Sequence, residues 1–189
     1  FIQEFIVVNQ IDSLSNEIFD NVTWVRSDSI NEYAQHVLRI KKIEWNDKNI
    51  SKIPEQIGFL DSLHWLELEN NLIDKIPSTI GSLLQLKYLQ LYNNKLITLP
   101  NGIGNLLNLR QLLIYENLLD TLSFDFEALT SLTALWVQEN NLTALPASLC
   151  GLINVSLPMS GFYYDNNKIC ISDDACNGSM SILEQTCDE

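Results

Sequence analysis

Trp65 and Tyr88 stand 23 residues apart in this sequence, and so do Tyr92 and Tyr115, and Leu113 and Trp136; Tyr163 follows Trp136 by 27. Side chains of this kind do not make or break bonds. They offer large, stiff apolar area with a polar tip, which is the material of binding hot spots. Interleaved with them in the same rhythm are Glu67, Gln90, Gln111 and Gln138, polar groups that can orient a ligand by hydrogen bonding. The chemistry this pattern supports is non-covalent recognition.

Bond-making chemistry has no comparable signature. There are two histidines, His36 and His64, and no G-x-S-x-G, H-E-x-x-H, P-loop or G-x-G-x-x-G segment. The acid pairs Glu67/Glu69 and Asp173-Asp174 read as solvated charges, and Asp165, Asp173 and Asp174 lack the spacing of a calcium loop. Four cysteines occur without a C-x-x-C pair, which argues against zinc. The chain is therefore read as a non-enzyme without cofactor or metal. Its 24 acidic residues outnumber 11 basic ones, for a net charge of −13, and that balance opposes a nucleic-acid partner, which needs a lysine and arginine field. No apolar run reaches the roughly 18–20 residues of a membrane span.

The elements that position these residues follow from the spacing itself. Leu86, Leu89, Leu91, Asn94, Leu96, Leu99 and Pro100 shift by 23 onto Leu63, Leu66, Leu68, Asn71, Ile73, Ile76 and Pro77, and forward onto Leu109, Leu112, Ile114, Asn117, Leu119 and Leu122. A further step reaches Leu132, Leu135, Val137, Asn140, Leu142, Leu145 and Pro146. A fixed period with apolar and Asn positions in one phase is the mark of a solenoid, whose coils share a core that none could bury alone. Within each coil L-x-x-L-x-L has the period of two expected of a short strand, and stacked strands lie roughly 4.8 Å apart in a parallel sheet. The Asn can turn inward to bond backbone groups left unpaired by the bend. Gly58, Gly81 and Gly104 mark turns and a loose back side.

The array is not uniform. A first coil runs through Ile40, Ile43, Trp45, Ile50, Ile53 and Pro54 with Lys48 in place of the Asn. The fourth has Ser123 in place of Pro, with Phe124 and Phe126 expected to fill the back. The sixth returns after 27 residues at Met159, Phe162, Tyr164, Asn167 and Ile169, so four extra residues within 150–158 predict a longer back-side loop. Three regions result: an N-terminal cap over 1–36, six repeats over 37–169, and a cysteine-bearing cap over 170–189. In the first, apolar spacing predicts a helix over about 3–19, and the polar run from Asn21 to Ser29 predicts a loop, with Trp24 helping to cover the end coil. The start, Phe1-Ile-Gln-Glu, lacks a signal peptide's basic region and cleavage site, so a secreted protein would have lost its leader from this chain.

The pattern L-x-x-L-x-L-x-x-N-x-L over residues 40–169 resembles the leucine-rich repeat family in its 23-residue form. The Ile-Pro-x-x-Ile-Gly-x-Leu segments at 53–60 and 76–83 are similar to extracellular repeats of plant receptors and bacterial surface proteins. The segment from Leu149-Cys150 to Ile169-Cys170 resembles the C-terminal end of secreted bacterial members. The resemblance implies an α/β fold, a right-handed horseshoe with a parallel sheet on its concave face, and binding of other macromolecules there rather than catalysis.

In that phase the residues between inward leucines point out of the sheet in columns: Lys42, Trp65, Tyr88, Gln111, Ala134 and Gly161; Glu44, Glu67, Gln90, Leu113, Trp136 and Tyr163; Asn46, Glu69, Tyr92, Tyr115, Gln138 and Asp165. The expected site is one contiguous ribbon of Trp65, Tyr88, Tyr92, Leu113, Tyr115, Trp136 and Tyr163 with Glu67, Gln90, Gln111 and Gln138, binding a protein or peptide. A glycan is the alternative ligand, and a structural spacer in a surface protein the alternative role. Lys41, His64, Lys87 and Arg110 form a basic row beside the ribbon. The structural Asn residues are Asn71, Asn94, Asn117, Asn140 and Asn167. Cys150, Cys170, Cys176 and Cys187, all within the last 40 residues, predict two disulfides and an oxidising compartment, hence a secreted or cell-surface protein. Three connectivities are open, and Cys150–Cys170 with Cys176–Cys187 is favoured because it ties the last coils and closes the tail. Asn21, Asn49, Asn141, Asn154 and Asn177 are N-x-[ST] sequons, relevant in a eukaryotic secretory pathway. A monomer is expected.

Overall fold

The computed structural model describes residues 22–30, 36–155 and 157–169. Among the described residues seven strands form one sheet in chain order: β1 (Val22–Ile30), β2 (His36–Glu44), β3 (Trp65–Glu67), β4 (Tyr88–Gln90), β5 (Gln111–Leu113), β6 (Ala134–Trp136) and β7 (Phe162–Tyr163). From β2 to β7 every pairing is parallel, and β2 to β6 stay in the register of the repeat: Lys42 faces Trp65, then Tyr88, Gln111 and Ala134. The middle residues of β3 to β6 are buried, their flanking residues mostly half-exposed. One face of the sheet is thus core and the other is open.

The core is the repeat skeleton itself. Leu63, Leu86, Leu89, Leu91, Leu109, Leu112 and Leu135 are fully buried, each worth about 1.5–3 kcal/mol by removal from water. Behind the sheet the chain returns through short 3₁₀ helices, Glu55–Phe59, Ser78–Ser82 and Asn101–Asn105, each led by a proline at the cap position and burying one isoleucine. This back is close-packed rather than loose: a Cβ on Gly81 would lie 2.7 Å from the Gly102 carbonyl oxygen. In the coil that carries Ser123 no such helix forms, and Phe124 and Phe126, with rings 4.3 Å apart, fill the space.

Each Asn closes two coils at once. The Asn94 Nδ2 group donates to the carbonyls of Leu68 (3.0 Å), Leu91 (3.1 Å) and Tyr92 (3.3 Å), while its Oδ1 accepts the Ile73 N–H at 2.9 Å. Asn71, Asn117, Asn140 and Asn167 repeat the arrangement. Asn71 reaches back to the Trp45 carbonyl and takes the N–H groups of Lys48 and Ile50, so the first coil is stapled from its neighbour without an Asn of its own.

Two local expectations are corrected. The run from Asn21 to Ser29 is not a loop: Val22 onward is β1, antiparallel to β2 with Val22 opposite Ile43 and Trp24 opposite Ile40. It covers the edge that β2 would otherwise present to solvent. The extra residues near Cys150 are not a long loop either. They wind into α1 (Ala147–Val155), whose Leu149, Leu152 and Ile153 lie at helical spacing and are buried. The predicted helix over 3–19, Cys170, Cys176 and Cys187, and the sequons at Asn21 and Asn177 lie outside the described residues.

Substituting Asn94→Ala removes one donor from each of the Leu68, Leu91 and Tyr92 carbonyls and the side-chain acceptor of the buried Ile73 N–H. Denaturant unfolding should show a loss of about 3 kcal/mol; a loss below about 1 kcal/mol would contradict the role given to this side chain.

Candidate recognition face

The open face is built by phase. Because successive strand residues alternate sides, every residue between two inward leucines is delivered to the same surface, and the Asn staples hold successive coils in register. Trp65, Glu67, Tyr88, Gln90, Gln111, Tyr115, Tyr92, Trp136 and Gln138 are half-buried there, and Tyr163 is 43% exposed. Leu113 departs from expectation: it is only 9% exposed, in register between Gln90 and Trp136, and offers little free surface.

The rings do not form one ribbon. His64, Trp65 and Tyr88 make one stack, the Trp65 and Tyr88 rings 5.4 Å apart and 6° from parallel. Tyr92 and Tyr115 are stacked at 4.4 Å and 7°, and the series continues through Trp136 (5.9 Å, tilted) to an edge-on contact with Tyr163 at 5.2 Å. The first stack uses the first column, joined by His64 from the basic row. The second starts in the third column and crosses to the middle one, so Gln90 and Leu113 separate the two.

The edges differ in polarity. Lys41, His64, Lys87 and Arg110 run along the strand-entry side, linked by backbone bonds such as Lys87 N–H to the His64 carbonyl at 2.9 Å. Burial, with Lys41 and Lys87 on either side, holds the His64 pKa below the ordinary 6.5, against the pull of the Ser62 carbonyl, so the imidazole is neutral at pH 7. On the exit side Asp47, Asn70, Asn93, Glu116, Glu139 and Asn166 all adopt positive φ, with Asn93 donating to Asn70 at 2.9 Å. Asn tolerates that conformation; glutamate at φ 52 and 56 in Glu116 and Glu139 carries strain.

Charge on the face is unevenly matched. The Lys42 ammonium pairs with Glu44 at 2.8 Å and Glu67 at 2.9 Å, and these attractions and hydrogen bonds outweigh burial to raise its pKa. Glu69 was read from the sequence as a solvated acid, yet it is 9% exposed. Burial raises its pKa, its own backbone N–H and the Tyr92 hydroxyl counter the rise, and Glu67 and Glu44 add to it. Tyr92 in turn is pushed to about 12 by burial and by the nearby Glu69 charge. Burial raises the Tyr115 pKa as well. Among the described residues four buried side-chain polar atoms have no partner: Asn46 Oδ1, Glu69 Oε2, Trp136 Nε1 and Gln138 Oε1. All four belong to outward columns. Sequence reasoning missed Asn46 and Glu69 as site residues; the available signal was their place in the column of Tyr92 and Tyr115.

Elsewhere, a groove of about 250 Å³ between Lys52, Ile53, Pro54, Glu55, Asp74, Lys75 and Pro77 shares no residue with this face. Cys150, on α1, is disulfide-bonded, its partner lying outside the described residues. Of the sequons, Asn49 is exposed, Asn141 is half-buried, and Asn154 lies within α1. Among the described residues no group of three or more His, Cys, Asp or Glu is placed to hold a metal, and no helix is long and apolar enough to cross a membrane.

A repeated coil of strand, Asn staple and proline-led 3₁₀ turn defines the class of protein. The family profile described as "Leucine-rich repeat region" matches residues 26–155, and the chain belongs to the leucine-rich repeat family. No curated protein matches its sequence. Among solved structures it is similar to the ectodomain of the receptor kinase SOBIR1 from Arabidopsis thaliana (24% identity, TM-score 0.71, covering 89% of this chain and 90% of that one). It is also similar to the plant peptide hormone receptor RGFR1 in complex with RGF2 (27%, 0.59, covering 68% of this chain but 21% of the receptor). An internalin from Listeria monocytogenes shares the fold at 23% identity and TM-score 0.54, over 68% of this chain and 34% of that one.

The pKa of Glu69 gives a pH-dependent expectation. Raised by burial in the folded state, it makes the native chain hold the proton more tightly than the unfolded chain. Its contribution to stability is therefore full below the unfolded pKa and lost as pH rises through the folded one. Glu69→Gln, which cannot ionise, should raise the thermal midpoint at pH 7, with a gain that shrinks as pH falls through the titration of Glu69. An equal effect at pH 7 and at acid pH would contradict the assignment.

Proposed function

We propose that this chain is a non-enzymatic recognition module of a secreted or surface-displayed protein, capturing a protein or peptide on the open, concave face of its sheet. The observation that carries the reading is the pair of aromatic stacks set on the face the core does not use. Large rings half-open to water on strands of three residues exceed what a solvated face needs, and Trp and Tyr bury much area at little rotamer cost. Trp65, Tyr88, Tyr92, Tyr115, Trp136 and Tyr163 are the anchors, with Glu67, Gln90, Gln111 and Gln138 as orienting groups and Leu113 as support beneath them. The plant receptor of similar fold, solved with its peptide RGF2, lends the family precedent. The chain's caps over 1–36 and 170–189 serve to close the array, the latter through its cysteines, and the module acts as a monomer.

A peptide is favoured over a glycan by the ring geometry. Sugar rings stack on an open aromatic face, whereas here Trp65 with Tyr88 and Tyr92 with Tyr115 already occupy each other's faces. Ring edges, hydroxyls and the gap between the stacks remain for an extended chain.

The double variant Tyr92→Ala, Trp136→Ala should bind peptides selected on the parent protein from a displayed random library at least about thirtyfold more weakly, the loss of one hot spot of about 2 kcal/mol. Its unfolding transition should stay nearly unchanged. Intact capture with a large loss of stability would instead make the rings a structural ladder. Capture of glycans alone would move the ligand class, and no aromatic-dependent binding of either would leave a spacer.

A further inference from the structure

We infer that Glu69 and Asn46 form the seat for a cationic side chain, arginine or lysine, of the captured peptide, packed against the Tyr92–Tyr115 stack. This rests on the reading of the open face as the recognition surface and adds the chemistry of one subsite.

The accounting of charge leads there. Of the three carboxylates in the first two coils of the face, Glu44 and Glu67 share the Lys42 ammonium. Glu69 is the most buried, at 9% exposed, and among the described residues no cation pairs with it. A buried carboxylate oxygen without a partner is costly unless something completes it. Here Glu69 Oε2 is such an atom, and Asn46 Oδ1, one coil away in the same column, is another. Both are acceptors, so the group that completes them must donate more than one hydrogen, and a positive charge suits the carboxylate. Guanidinium and ammonium groups combine the two. Next in the column stand Tyr92 and Tyr115, stacked at 4.4 Å, which offer the cation's apolar stem a wall to pack on, and the Tyr92 hydroxyl hydrogen-bonds Glu69. The chain's net charge of −13 draws a basic partner toward the face.

Further along the face, two neighbouring outward residues fix the ligand's run. Gln138 Oε1 and Trp136 Nε1 are one acceptor and one donor, both buried and unpartnered, which matches the N–H and C=O of an extended backbone. Gln138 is three coils from Glu69, about 14 Å at roughly 4.8 Å per strand. An extended chain covers that in about four residues at roughly 3.4 Å each. The cation is therefore placed about four residues from the peptide unit that meets Trp136 and Gln138.

The test uses the acetylated amide of Gly-Gly-Arg-Gly-Gly and the same peptide with lysine or citrulline at its centre, titrated by NMR against the folded protein. The Arg and Lys peptides should give saturable shifts at the tyrosine rings and at the Glu69 backbone amide. Citrulline, of the same shape without charge, should bind at least about tenfold more weakly. Glu69→Gln should lose the preference for charge while Glu116→Gln, an exposed acid on the rim, keeps it. Equal binding of all three peptides, no saturable shift, or an unchanged Glu69→Gln would overturn the proposal. These results separate it from the broader reading. Library capture abolished by the aromatic variants alongside a charge-blind Glu69 would leave the recognition face and remove the cation seat. A charge-selective Glu69 with aromatic-independent capture would do the reverse.

Discussion

At each coil of this solenoid one buried amide satisfies backbone groups from two turns of the chain. The bend that follows each short strand leaves carbonyls and an N–H facing inward, where an unmade hydrogen bond costs about 1–3 kcal/mol. An Asn side chain meets them because it carries donor and acceptor on one short stem: Asn117 gives its Nδ2 to Leu91, Ile114 and Tyr115 and takes the Leu96 N–H at 3.0 Å. The leucines supply the driving force, but the Asn column sets the register in which they stack. Since that register places strand residues opposite their counterparts 23 positions away, it also decides which side chains meet on the open face.

The consequence is a division of labour. Inward positions are nearly uniform, and the outward ones are free to vary, which is where the chemistry gathers. Two aromatic stacks, a neutral histidine in a basic row, a carboxylate without a cation and strained glutamates on the exit rim all lie on the surface the core does not need. Buried polar groups with no partner are rare in native folds because they destabilise them. At Asn46, Glu69, Trp136 and Gln138 they gather in the outward columns, the observation on which the proposed cation seat rests.

Most of the repeat architecture was legible because each position is fixed by local spacing. The five Asn positions and the inward leucines needed only a period to be found, and the columns of outward residues followed. What was not legible depended on partners distant in sequence. Val22–Ile30 reads as a polar loop until β2 stands beside it with an unpaired edge. The insertion at Ala147–Val155 carries the spacing of a helix, but the expectation of a longer back-side loop hid it. Glu69 looks like any exposed acid of a strand, and its burial is visible only once the coils are stacked. Leu113 is the converse, an apolar residue at an outward position that Gln90 and Trp136 flank in register. Ring geometry was invisible too: columns place residues 23 apart side by side, yet whether rings in adjacent columns touch is a matter of rotamers.

That the buried Asn column holds this fold independently of the open face can be measured by native-state hydrogen exchange. The amides of Ile73, Leu96, Leu119 and Leu142, which donate to Asn Oδ1 atoms at 2.9–3.0 Å, should be among the slowest to exchange, opening only with global unfolding. Their protection should be unaltered when the rings of Tyr92 and Trp136 are removed. Rapid exchange at these amides, or protection that collapses with the loss of the rings, would contradict the account and make the aromatic face part of what holds the coils together.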